Sequence, residues 1–110
     1  MTLGSPAKKL EQFFAKHKRA GLVLPDGWYG RPFDSLFALV RAADLPDGLM
    51  ITIEGRKELR FGGHLKIVGT QLEKRPALSI EGFESVSWMP HDGVSQERHY
   101  AGSGSVVFVS

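Results

Sequence analysis

Cysteine is absent from all 110 residues. That excludes a disulfide framework, a thiolate zinc or iron–sulfur site and a cysteine nucleophile, and it fits a reducing, cytoplasmic compartment. Long apolar runs are missing as well. No stretch approaches the roughly 18 residues of a membrane span, and residues 1–9 carry no apolar signal-peptide core. A soluble protein with no membrane association is therefore expected. Phosphate and nucleophile signatures are also lacking. There are 13 glycines, yet no Gly-x-Gly-x-x-Gly opens a helix, no P-loop lysine is present and no Gly-x-Ser-x-Gly elbow occurs. Ser103, in Ala-Gly-Ser-Gly-Ser, reads as a turn.

What is present is ordinary for a folded domain: 42% apolar and 24% charged residues, too hydrophobic and too nearly neutral for disorder. Residues 1–110 have the length of a single domain, which buries roughly 65% of its unfolded surface around one core. The net charge of +2 divides unevenly. Lys8, Lys9, Lys16, Lys18 and Arg19 face only Glu11 in the first twenty residues, so the remainder is mildly acidic. A basic arm on an acidic body suggests an electrostatic contact.

Along the chain, Ser5-Pro6 has the chemistry of a helix start. Leu10, Phe13, Phe14 and His17 recur at three- and four-residue spacing, which predicts a helix over 6–20 ended by Gly21. Residues 22–34 read as an irregular aromatic loop around Pro25-Asp26-Gly27. The segment 36–43 suits either a strand or a helix capped by Asp34. The Leu45-Pro46-Asp47-Gly48 turn before the alternating Leu49, Ile51 and Ile53 favours a strand and a hairpin. Strands continue through 58–61 and 64–68 to Leu78 and Ile80. The apolar phase changes at Gly82, which predicts a β-bulge there. His91-Asp92-Gly93 reads as a turn, 95–101 as a polar edge strand and 106–109 as a buried strand. With no crossover helices to build a parallel sheet, the expected class is α+β. It would be an N-terminal helix packed on a curved antiparallel β-meander or half-barrel of about six or seven strands.

No catalytic, metal or cofactor site is expected. His91, Asp92, Glu97 and His99 are close in sequence, but Asp92-Gly93 is turn chemistry, and Glu97 and His99 share a strand face simply by being two apart. Asp26, Asp34, Asp44, Asp47 and Asp92 each border a turn or cap. The richest segment is Trp28-Tyr29-Gly30-Arg31-Pro32-Phe33-Asp34, because large aromatics and arginine dominate binding hot spots. Two readings compete: the aromatics fold back as a lid over an open end of the sheet, which is favoured, or Trp28, Tyr29 and Arg31 form a recognition patch. Trp28 and Phe33 are expected to face the core, and Tyr29 and Arg31 the solvent. The leading expectation is a non-catalytic interaction module that meets another protein or a small ligand through Trp28, Tyr29, Arg31 and Phe33. The alternative is a weak nucleic-acid binder using a basic helical stripe of Lys8, Lys16 and Arg19. A small enzyme of unspecified chemistry ranks third.

Overall fold

The computed structural model describes residues 5–31, 34–91, 93, 96–102 and 104–110. Among these residues one α-helix, a short 3-10 turn at Glu54–Arg56 and ten strands follow in chain order. Helix α1 spans Pro6–His17. Its start is doubly secured: the Ser5 hydroxyl oxygen accepts from the Lys8 amide, and the Asp44 carboxylate accepts from the Ala7 amide at 3.1 Å. Both satisfy amides that have no partner within the helix, and the carboxylate also suits the positive end of the helix dipole.

The helix ends before the expected Gly21. Lys18 takes the left-handed position, with φ +67°, and donates its amide to the Phe14 carbonyl at 2.8 Å. From Arg19 the chain is strand β1, Arg19–Leu24. There the period-two placement of Ala20, Leu22 and Leu24 wins over helical continuation, since all three are buried in the core. The supposed irregular loop then contributes strand β2, Gly27–Tyr29, which pairs with β1 across the Pro25-Asp26 turn.

The remaining strands are β3 (Phe37–Leu45), β4 (Gly48–Ile53), β5 (Lys57–Gly62), β6 (Lys66–Leu72), β7 (Arg75–Glu81), β8 (Ser85–Met89), β9 (Arg98–Ala101) and β10 (Ser105–Val109). All pairs are antiparallel, in the order β6-β7-β10-β1-β3-β4-β5-β8-β9, with β2 beside β1. The end strands β6 and β9 do not pair with each other, so the sheet is open. The α+β class and the antiparallel sheet under an N-terminal helix are as expected, and 36–43 lies largely in a strand. The strand number and the meander need correction. After β5 the chain leaves to build β6 and β7 at the far end, then returns to set β8 against β5.

That excursion explains Gly82. Its φ is +77°, but it sits in the connection between β7 and β8, which do not pair with each other. The apolar phase changes because two separate strands meet there. The sheet's bulge is at Val40 instead: Leu39 pairs with Ile53 and Arg41 with Thr52, leaving one extra residue on β3. Val40 is accordingly turned out, 64% exposed. Asp92, Val94, Ser95 and Ser103 lie outside the described residues.

The sheet curls around one core. Phe14 of the helix meets Phe108 edge-on, with ring centroids 5.3 Å apart. Trp88, Phe61, Leu59, Ile51 and Leu22 are fully buried beneath, each contributing roughly 1.5–3 kcal/mol of apolar transfer. No helix among the described residues is long and apolar enough to cross a membrane.

Candidate functional site

The aromatic segment splits across the two faces of β2. Successive strand residues point to opposite sides, so Trp28 and Tyr29 part company. Tyr29 turns inward, 4.7 Å from Trp88 and 5.9 Å from Phe37 between ring centroids. Trp28 turns outward. The expectation for this pair is thus reversed, because the segment is a paired strand and not a loop free to fold back. Arg31 is exposed, as expected; its guanidinium lies 3.9 Å from Asp34, and its amide donates to the Ser35 hydroxyl at 3.0 Å. Phe33 lies outside the described residues.

Outward, Trp28 heads a row. Trp28 stands opposite Val23, Val23 opposite Val107, Val107 opposite Ser79 and Ser79 opposite Val68. Residues directly opposite in antiparallel strands share a face, so the row crosses β2, β1, β10, β7 and β6. Its one hydroxyl is satisfied: Ser79 donates to Glu81 at 2.9 Å. The neighbouring row is Gly21, Val109, Ala77 and Thr70. Val109 and Ala77 are buried yet stand apart from the main core. They belong to this second, outer apolar layer.

Gly21 makes the layer close. A Cβ built there would stand 3.1 Å from Cζ3 of the Trp28 indole, with Leu36 at 3.8 Å. Its absence lets the indole settle onto the sheet beside Leu36. Trp28, Val23, Val107 and Val68 remain half-exposed. The fold's own core lies on the opposite side, where α1 packs.

The other half of the outer face is polar. Met50, Arg60, Ser87 and His99 form its central row across β4, β5, β8 and β9. Ser87 Oγ lies 2.9 Å from His99 Nδ1, and His99 Nε2 lies 3.8 Å from Glu97. The imidazole is 65% exposed, so bulk water competes for each contact and no low-dielectric site forms. His91 faces Glu58 at 3.6 Å. Among the described residues no three His, Asp or Glu converge to hold a metal.

The basic stripe is broken. Lys8 and Lys16 are exposed on α1, but Arg19 belongs to β1 and pairs with Glu54 at 3.3 Å. The far edge of the sheet is tied back at Asp26: the Tyr100 hydroxyl donates to one carboxylate oxygen at 2.9 Å, and Arg98 lies 3.6 Å from the other. Burial holds the Tyr100 phenol above its ordinary pKa; the Arg98 hydrogen bond opposes this, and the Asp26 hydrogen bond and charge add to it.

No protein-family model, curated protein or solved structure matches this chain.

Proposed function

We propose that the protein is an interaction module whose contact surface is the outer face of β2, β1, β10, β7 and β6. The observation that carries the reading is the apolar row of Trp28, Val23, Val107 and Val68, which lies opposite the side the core requires. Contiguous apolar surface of this kind marks protein contact sites. The half-exposed row spans five strands about 4.8 Å apart, a length of roughly 20 Å, and the row beside it, on four of those strands, is largely buried. A standard interface buries about 800 Å² per partner. The patch therefore serves as the centre of a larger contact or as the whole of a transient one. Trp28 is the anchor, being of the residue type most enriched in hot spots. The partner it suits is a protein with a flat apolar surface.

Lysines introduced at half-exposed positions can extend to water and leave the fold intact. Val23→Lys with Val107→Lys should melt close to the parent but lose the complexes that the parent forms in native mass spectrometry of source-cell extract. Thr52→Lys with Ser87→Lys, on the polar half, should keep them. Equal loss from both pairs, or retention by both, would remove the assignment.

A further inference from the structure

A second surface lies at the β6 edge of the sheet, where it meets the outer row at Thr70 and Ala77. Helix α1 runs alongside β6: Ser5 and Pro6 line one open cleft with His64 and Leu65, and Phe13 and His17 line another with Gly69, Thr70 and Gln71. The second is a shallow, open depression of about 630 Å³, floored by Leu78 and Pro76 of β7. Its width depends on Gly69. A Cβ built there meets nothing within 4 Å, so the residue opposite Leu78 leaves the space between strand and helix unfilled. One wall is aromatic, with the Phe13 ring tilted at 45° to His17 and 4.6 Å from it.

Among the described residues β6 is an end strand, paired with β7 alone. An end strand presents unpaired N–H and C=O groups along its free side, a template for another strand. An edge beside a helix, with a slot between them, is the arrangement in which an extended peptide adds to a sheet. Main-chain hydrogen bonds then give affinity, and alternate side chains enter the slot. Exposed lysines stand around the cleft, with Glu73 beside Lys74 as the acidic exception. Lys9, Phe13 and His17 follow one another at four-residue steps, and Lys16 lies three beyond Phe13, so both lysines flank the aromatic wall. Both are exposed, as is Lys74 at the β6–β7 turn.

We infer that the cleft between α1 and β6 binds an extended peptide segment as an added strand. The segment places an apolar side chain over Gly69, between Phe13 and Leu78, and carries acidic residues on either side toward Lys9, Lys16 and Lys74.

The test is selection from a random twelve-residue peptide display library on the full chain, followed by affinity measurement of the enriched peptide. The expected peptide alternates apolar residues and is acidic at its flanks. Gly69→Leu fills the slot and should weaken binding at least tenfold with no loss of melting temperature. Should that variant fail to fold, Lys9→Glu with Lys16→Glu on the exposed helix surface should weaken binding similarly. Methylating alternate peptide amides separates strand addition from groove packing: one parity should abolish binding and the other leave it nearly unchanged. No enriched peptide, a basic or helical one, equal affinity for the Gly69→Leu and parent proteins, or equal sensitivity to both methylation parities would each overturn the inference.

Discussion

Replacing Asp26 by alanine removes both ties that hold β9 to the β1–β2 turn. The first is the Arg98 ion pair at 3.6 Å, with the two side chains 48% and 56% exposed. Exposed pairs of this kind contribute about 0.2–1 kcal/mol. The second is the Tyr100 hydroxyl donated to the carboxylate at 2.9 Å. Hydrogen bonds to charged groups contribute about 1.5–3 kcal/mol, and the exposure of Asp26 brings this one nearer about 1 kcal/mol. Asp26→Ala should therefore destabilise the fold by roughly 1–2 kcal/mol, or about 4–8 °C for a domain of this length. Asp26 also sits in a turn, where alanine has its own effect, so the decisive quantity is the coupling. Tyr100→Phe keeps the ring and removes the hydroxyl. Urea denaturation of the parent, both single variants and the double variant should yield a coupling of about 0.5–1 kcal/mol, with faster amide exchange in β9 for Asp26→Ala. Strict additivity would refute the tie.

Tyr29→Ala should cost about 2–3 kcal/mol because it opens the contact with the buried Trp88, whereas Arg31→Ala should change stability by less than about 0.5 kcal/mol. Thermal melts of the two single variants separate these outcomes. Gly82→Val should destabilise by about 1–2 kcal/mol through its positive φ alone, since the nearest atom to a Cβ there is 3.8 Å away. Equilibrium denaturation at parental stability would contradict that backbone argument. Ultraviolet titration of Tyr29→Phe, which leaves Tyr100 as the single tyrosine, should place its ionisation above the ordinary value of about 10. Adding Asp26→Asn should lower it. Since the folded pKa is the higher one, this contribution to stability is complete below about pH 10 and is lost as pH rises through the folded value.

The helix start, the 45–48 hairpin turn and the inward alternation of β4 were legible because each depends on neighbours in sequence. The helix end was not. Lys18 adopts a conformation usually left to glycine, and β1 exists because β10, eighty-odd residues away, pairs with it. Once Trp28 lies in a strand opposite Val23, its direction is set by register, which no local pattern around an apparent loop reveals. A signal for the outer layer was nonetheless there. Gly21-Leu22-Val23-Leu24 and Val106-Val107-Phe108-Val109 are continuous runs without polar alternation, and Ala77-Leu78-Ser79-Ile80 departs from this only at Ser79; such runs mark strands with apolar surroundings on both faces. Only the pairing shows that the three runs are neighbours. The cleft beside β6 was harder still, because it is made by the absence of a side chain at Gly69.

The proposed contact face is tested most directly by a photo-crosslinking amino acid placed at position 107, in the middle of the apolar rows, and irradiated in the cells that make the protein. A discrete protein adduct is predicted from that position, with a second copy of the chain or another protein. It should disappear when Val23→Lys is added, and the same crosslinker at position 52, on the polar half, should give none. No adduct from position 107, or adducts of equal yield from both positions, would contradict the account.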